Sequence, residues 1–240
     1  MFIANWVPVI DSKIPTRNAT LRLTTPEDLT IFYRSNLTDT CKTEIIPGNK
    51  FYSWHTTFNN TVPDEIYMPP LPQLIPSVEI VPERFKYELV GATTNWVTYG
   101  NWNLSLLKGM NDLPFIEKVR IESLIKDIDD EKSKVRVLFH YLQDATRYIN
   151  VSIKTGGLKP FPASYVAENK YGDCKALSNY FKACLELINI KAYYSTIAAG
   201  EEIEKTDSSF PSQQFNHVIL FIPLEQDSLW VDCTSDLAFG

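Results

Sequence analysis

Long apolar runs, clusters of metal ligands and basic patches are all missing from this sequence. No stretch approaches the roughly 20 consecutive apolar residues that a helix needs to cross a bilayer, so we expect no transmembrane segment in this chain. Acidic and basic residues are interleaved and leave a net charge of −6. The basic face that is typical of nucleic-acid-binding proteins is therefore absent, and no nucleic-acid partner is expected.

Cysteine is also scarce, and its spacing excludes the common metal sites. Cys41, Cys174, Cys184 and Cys233 lie far apart, with no C-x-x-C pair and no Cys/His cluster at zinc-finger spacing. No calcium loop of the EF-hand type is present. We therefore expect no metal and no cofactor. Free thiols are the expected state of the cysteines, with a single disulfide as the alternative.

The first residues of the chain do not form a signal peptide. The segment from Met1 to Pro8 has no basic region, and Asp11 and Lys13 interrupt it before an apolar core can form. Two locations stay open on this evidence. The protein is either cytosolic, or exported by means of a leader that lies outside this sequence.

An alternation of apolar and polar residues from Leu21 to about Trp54 predicts antiparallel strands of a β-sandwich or meander. About four strands fit this pattern, whereas a free-standing sandwich usually has around seven. We therefore interpret residues 1–70 as a partial β-sandwich region.

Prolines dominate the next segment. Six of them lie between Val62 and Pro82, where they disfavour a regular helix or a central strand, and we predict a proline-rich linker over residues 71–95. Residues 96–240 then form the second predicted domain, in which helical spacing comes first and three strand-like runs come last. Such an order is typical of an α+β fold with a helix packed on an antiparallel sheet.

Cys174 lies at the first turn of a core-facing helix. Gly172 permits a tight turn before it, Asp173 is a good N-cap, and Leu177 begins the apolar stripe of the helix. The positive end of the helix and its unpaired N–H groups stabilise a thiolate over a thiol. Cys174 is therefore a candidate nucleophile, and the same N–H groups are candidate donors to an oxyanion.

A thiol nucleophile needs a base and a group that orients the base. His217 begins a predicted strand, and Asp232 lies on the next one. Antiparallel neighbours are about 5 Å apart, so these two side chains are expected to meet. The sequence thus predicts a catalytic triad of Cys174, His217 and Asp232.

Three blocks of the chain resemble the signature of the transglutaminase-like superfamily, in its order Cys, His, Asp. The blocks are Gly172–Lys175, Phe215–His217 and Trp230–Asp232, the last followed by Thr234. The resemblance begins near Lys118 and reaches the C-terminus. More narrowly, the chain is similar to exported bacterial proteins in which such a core follows a β-sandwich domain of unknown function. Ala176 and Cys233 depart from the residues that are usual in these relatives.

The resemblance implies a papain-like core, an exported or periplasmic location and a peptide or protein substrate. It also implies a side-chain oxyanion donor upstream of the cysteine, for which Tyr148 and Gln143 are the candidates. The activity implied is hydrolysis of a peptide or carboxamide bond through a thioester. The alternatives are acyl transfer from glutamine to an amine, as in a transglutaminase, and an inactive module that binds a peptide or glycan.

Overall fold

The computed structural model describes residues 2–62, 65–150, 157–200 and 206–239. Two compact units make up the chain: residues 1–100 with 201–213, and residues 101–200 with 214–240. Pro63, one of the six prolines noted above, lies outside the described residues, as do residues 151–156 and 201–205. Within the described ranges, no helix has the length and apolar character needed to cross a membrane.

Strands account for most of the first unit. Its elements are β1 (Ala4–Trp6), β2 (Thr16–Pro26), β3 (Ile31–Asn36), β4 (Lys42–Ile46), β5 (Asn49–Phe58), α1 (Leu71–Leu74), β6 (Ser77–Pro82), β7 (Arg84–Tyr87) and β8 (Leu89–Ala92). One antiparallel sheet has the order β1-β6-β3, a second has the order β2-β5-β4, and β7 pairs with β8. Trp54 of β5 is fully buried with Val78 and Ile80 of β6, so side chains of both three-stranded sheets share one core.

The prediction that the proline-rich segment holds no central strand is wrong. β6 lies between β1 and β3 in its sheet, and β7 and β8 also fall within the predicted linker over 71–95. The prolines bracket β6 instead of interrupting it, because Pro76 precedes the strand and Pro82 is its last residue. A proline at the end of a strand removes only its own N–H from the ladder. Val78, Glu79 and Ile80 therefore pair on both sides, with β1 and with β3.

The second unit combines helices with a three-stranded antiparallel sheet. Its elements are α3 (Phe115–Ile125), α4 (Glu131–Ala145), β9 (Arg147–Tyr148), α5 (Ala163–Asn169), β10 (Tyr171–Gly172), α6 (Cys174–Leu187), β11 (Tyr193–Ile197), β12 (His217–Pro223) and β13 (Ser228–Val231). A further helix, α2 (Trp96–Leu106), runs across residue 100. The order of the sheet is β11-β12-β13. The α+β fold class predicted from the sequence is confirmed.

Helix α6 is the centre of the second unit. Its apolar side chains Leu177, Phe181 and Leu185 are buried together with Leu220 and Ile222 of β12. At about 25 cal/mol per Å² of apolar surface, each such side chain contributes roughly 1.5 to 3 kcal/mol on burial. The start of α6 is therefore fixed relative to the strands that carry His217 and Asp232.

A buried carboxylate holds α6 against α3 and α4. Glu117 of α3 is 2% exposed and accepts hydrogen bonds from Tyr180 of α6 at 2.5 Å and from Tyr141 of α4 at 2.6 Å. Burial alone would raise the pKa of Glu117, but these bonds and the Lys170 ammonium outweigh it and lower the pKa. Glu117 therefore stays charged and joins three helices.

Candidate active site

Asp173 sets the first turn of α6. Its backbone is extended, and its Oδ1 accepts the N–H of Ala176 at 2.9 Å, as expected of an N-cap. Its Oδ2 pairs with the Lys175 ammonium at 2.5 Å. Cys174 lies between Asp173 and Lys175 in the sequence, is 8% exposed and is the first residue of the helix. The thiol is thus placed at the positive end of α6 by a cap whose two oxygens are both occupied.

Gly172 is needed for close packing, not for a left-handed turn. It is not among the glycines with positive φ, which corrects the role expected of it. A Cβ on Gly172 would lie 2.9 Å from the Cβ of Ala176, closer than real Cβ atoms approach. Gly172 also pairs in parallel with Tyr148 through β10 and β9. Position 172 therefore has no room for a side chain next to Ala176.

His217 and Asp232 meet where β12 begins and β13 ends. His217 is the first residue of β12, Asp232 directly follows β13, and His217 Nε2 lies 2.8 Å from Asp232 Oδ2. The other carboxylate oxygen, Oδ1, accepts from the N–H of Thr234 at 2.9 Å and from its hydroxyl at 2.7 Å. Asp232 therefore forms a turn with one oxygen and orients the imidazole with the other.

Electrostatic coupling brings Cys174 into the same group. The pKa of His217 is raised to about 9, first by the hydrogen bond to Asp232 and then by interaction with Cys174, whereas burial opposes the rise. Burial alone would raise the pKa of Asp232, but the bonds from His217 and Thr234 lower it to about 2. At neutral pH the pair is thus an imidazolium and a carboxylate. Asp232 bonds to Nε2 of this ring.

A solved structure shares this fold. The chain aligns over 95% of its length with a protein from Parabacteroides distasonis described as a "putative protease", with a TM-score of 0.67 and 13% identity. It spans only 42% of that protein. A "putative cysteine protease" from Cytophaga hutchinsonii gives a TM-score of 0.40 at 12% identity, over 91% of this chain and 72% of that one. The periplasmic domain of TgpA from Pseudomonas aeruginosa gives 0.36 at 11% identity, over 96% of this chain and 75% of the domain.

No protein-family model matches the chain. No curated protein matches it in sequence. At these sequence identities, the structural likeness shows a shared fold and does not specify the chemistry of the site.

Asn216 is a residue of the site that the sequence reasoning missed as a positioning group. Its side-chain amide donates to the carbonyl of Ala199 at 2.8 Å and accepts the N–H of Ala199 at 2.8 Å. Its own N–H donates to the carbonyl of Ile197 at 3.1 Å. These bonds extend the pairing of β11 and β12 by one step and fix the backbone immediately before His217. Asn216 directly precedes the predicted base, His217, and this position in the sequence was the signal that could have indicated its role.

Gln143 is not available as an oxyanion donor. Its amide nitrogen donates to the carbonyls of Ser235 at 3.0 Å and Leu237 at 2.9 Å, so both of its protons are used. Its amide oxygen faces His140 Nδ1 at 3.2 Å. Gln143 therefore holds the segment after Asp232 in place, and the prediction of a donor role for it is wrong.

Tyr148 remains the candidate for that role. Its side chain is 49% exposed, and its backbone pairs with Gly172, two residues before Cys174. Burial raises the pKa of Tyr148, and the negative charges of Cys174, Asp173 and Asp232 raise it further. The phenol thus lies within electrostatic reach of the site and stays protonated at neutral pH, as a hydrogen-bond donor must.

The remaining cysteines do not share these properties. All four thiols are free. Cys184 and Cys233 are buried, and burial raises the pKa of each far above its usual range. Cys41 is partly exposed in the first unit. Across the described residues, no group of three His, Cys, Asp or Glu side chains has an arrangement that could hold a metal ion.

Proposed function

We propose that this protein is a cysteine hydrolase of the transglutaminase-like superfamily that cleaves a peptide or carboxamide bond through a thioester. The observation that carries the proposal is the position of His217, which hydrogen-bonds Asp232 and interacts with Cys174 at the start of a buried helix. A nucleophile, a base and an orienting carboxylate are the three parts that such chemistry requires. The α+β fold, which a protease-like protein shares, supports the same conclusion.

Acylation uses the ion pair of Cys174 and His217. The Cys174 thiolate attacks the carbonyl carbon and forms a C–S bond, and the carbonyl oxygen becomes an oxyanion. The His217 imidazolium then gives its proton to the leaving amine as the C–N bond breaks. Asp232 holds the ring in the correct orientation during both transfers. The product of this step is a thioester on Cys174, an amine and a neutral imidazole.

Deacylation restores the site. Neutral His217 takes a proton from water, the resulting hydroxide attacks the thioester, and the C–S bond breaks. The acid leaves, and the proton on His217 regenerates the ion pair with the thiolate. A primary amine in place of water would give a new amide, which is the acyltransferase alternative. Hydrolysis is preferred because water is abundant and no contact in the described residues marks an amine site.

Two sources of hydrogen bonds are proposed for the oxyanion. Asp173 Oδ1 already takes the N–H of Ala176, so the N–H groups of Cys174 and Lys175 are the first-turn donors that this cap leaves open. The Tyr148 phenol is the proposed side-chain donor. Peptides and proteins are the proposed substrates, and an exported location is proposed on the resemblance of the three sequence blocks.

Replacing Tyr148 with phenylalanine is expected to lower kcat by roughly 10- to 100-fold, toward the lower end of what the loss of one oxyanion donor costs, because Tyr148 is half-exposed. KM should change little, since the donor acts on charge that develops in the transition state. Steady-state kinetics of wild type and variant with one substrate will measure this. Tyr171→Phe, on the neighbouring strand β10, is the matched control. An unchanged kcat for Tyr148→Phe would remove Tyr148 from the oxyanion site.

The proposed activity can be tested before the natural substrate is known. p-Nitrophenyl acetate is a small activated ester, and its reaction with the protein should leave an acetyl thioester on Cys174 that mass spectrometry detects after an acid quench. Repeated release of nitrophenol would indicate hydrolysis, and faster release with an added primary amine, together with the acetylated amine, would indicate acyl transfer. Acetylation that is confined to lysines, and equal in wild type and Cys174→Ser, would contradict the proposal.

A further inference from the structure

A buried ion pair flanks the nucleophile in the sequence. Asp173 precedes Cys174 and Lys175 follows it, and the Lys175 ammonium lies 2.5 Å from Asp173 Oδ2. The side chain of Asp173 is 3% exposed and that of Lys175 is 11% exposed. Lysine is almost never buried to this degree unless its ammonium is paired. The chemistry proposed above uses neither of these two charges.

The cap of α6 does not require either charge. Asp173 caps the helix through Oδ1, which accepts the N–H of Ala176 at 2.9 Å, and the amide oxygen of an asparagine would accept this N–H equally well. A buried ion pair also contributes little net stability, because the desolvation of the two ions offsets their attraction. Neither the cap nor the stability of the fold explains the two charges, and the group that lies between them in the sequence is the Cys174 thiol.

A carboxylate next to a thiol opposes the ionisation of that thiol. Consecutive Cα atoms are about 3.8 Å apart, so the charge of Asp173 is close to the Cys174 sulfur. Cys174 is only 8% exposed, and two negative charges with little solvent between them repel each other strongly. The Lys175 ammonium lies on the same turn of the helix and cancels the charge of the carboxylate. The positive end of α6 then stabilises the thiolate without opposition from its own cap.

We infer that Lys175 is a positioning residue whose ammonium neutralises the carboxylate cap of α6, so that the Cys174 thiolate forms beside a neutral pair. The inference rests on the proposed function, because it requires Cys174 to act as a thiolate. Lys175 exchanges no proton in this role and acts only through Asp173. The sign of each effect follows: loss of the ammonium alone disfavours the thiolate, whereas loss of both charges leaves it almost unchanged.

The rate of Cys174 alkylation by iodoacetamide at about pH 6, measured by peptide mapping, tests this inference without a substrate. Lys175→Met keeps most of the side chain and removes its charge, so it should slow the alkylation roughly tenfold. Asp173→Asn/Lys175→Met removes both charges and keeps the cap, and its rate should lie within about threefold of wild type. Lys182→Met is the matched control. Lys182 lies on the same helix and pairs with Glu186, and its loss should leave the rate unchanged.

Labelling of Cys184 shows whether each variant is folded, because this thiol is 2% exposed and becomes accessible on unfolding. If Lys175→Met unfolds, Asp173→Asn takes its place in the comparison. The unpaired ammonium of Asp173→Asn should then make Cys174 react faster than in the double variant. A double variant that is folded but labels Cys174 roughly tenfold more slowly than wild type would overturn the inference by itself.

Equal slowing in Lys175→Met and in the double variant would show that Lys175 acts through packing and not through its charge. That result, or unchanged alkylation in a folded Lys175→Met, would overturn the inference while leaving the proposed function intact. Wild-type Cys174 that reacts no faster than Cys41 would instead contradict the proposed function, and the inference with it.

Discussion

Replacing Cys174 with alanine is expected to lower turnover by about 10⁴-fold or more, because the thiol that interacts with His217 is removed and no thioester can form on it. The residual rate comes from binding and from the oxyanion donors alone. Turnover of p-nitrophenyl acetate, corrected for its reaction in buffer, provides the measurement. The Tm should stay close to that of wild type, since the change removes one sulfur atom at the first residue of α6.

Cys41→Ala is the matched control for this experiment. Cys41 is free and partly exposed, and it lies in the first unit, so its removal should leave turnover unchanged. Cys184 and Cys233 are less suitable controls because both are buried and their truncation would also disturb packing. A Cys174→Ala protein that is folded and still turns over the ester within about tenfold of wild type would contradict a thiol nucleophile.

Replacing Asp232 with asparagine is expected to lower kcat by about 10² to 10⁴-fold and to shift the pH profile. Asparagine keeps the shape of the side chain but cannot stabilise the imidazolium. In wild type the pKa of His217 is about 9, and its largest cause is the bond to Asp232. Activity that depends on the imidazolium should therefore fall as the pH rises through about 9. In Asp232→Asn the fall should occur at lower pH, closer to the ordinary histidine value near 6.5.

Kinetics over a range of pH, with both proteins and one substrate, will measure this shift. Asp227→Asn is the matched control, because Asp227 lies on the same β12–β13 hairpin and pairs with Lys132 at the surface. Its profile should match that of wild type. An alkaline fall at the same pH in wild type and Asp232→Asn would show that Asp232 does not control the base.

The same pair makes a small contribution to the stability of the fold, and its sign follows from the two pKa values. The raised pKa of His217 stabilises the folded state fully below about 6.5, and this contribution is lost as the pH rises through about 9. The lowered pKa of Asp232 stabilises the folded state above about pH 3.8, and this contribution is lost as the pH falls through about 2. The pair therefore helps most between about pH 4 and 6.5. Because the Asp232 side chain is 39% exposed, solvent screening keeps the effect small.

Local signals predicted the start of α6 well. Asp173 is a strong N-cap and an apolar stripe follows it, so propensity, capping and pattern all favour a helix at this point. The positions of His217 and Asp232 could also be predicted from the sequence, because each lies at the end of a clear β-strand and adjacent antiparallel strands bring their ends together. These three elements are close in sequence order, and few topologies connect them.

Long-range contacts explain what the sequence did not reveal. The central position of β6 depends on pairing with β1, more than 70 residues earlier, and no local pattern records that partner. Gln143 looked like a free amide on a helix, yet its protons go to carbonyls more than 90 residues later. Such contacts form only when the core assembles, whereas helix caps and the alternation of apolar and polar residues in strands depend on neighbouring residues in the sequence.

Limiting alkylation of the folded protein tests the central claim, that Cys174 and His217 form an ion pair oriented by Asp232. The protein is treated with substoichiometric iodoacetamide at about pH 6, where ordinary thiols are protonated and a paired thiolate still reacts. Digestion and mass spectrometry then compare Cys174 with Cys41, in wild type and in His217→Ala. The account predicts that Cys174 is labelled first and that its labelling falls in His217→Ala, because the imidazolium is gone. Equal labelling of Cys174 and Cys41, with no response to His217→Ala, would contradict it.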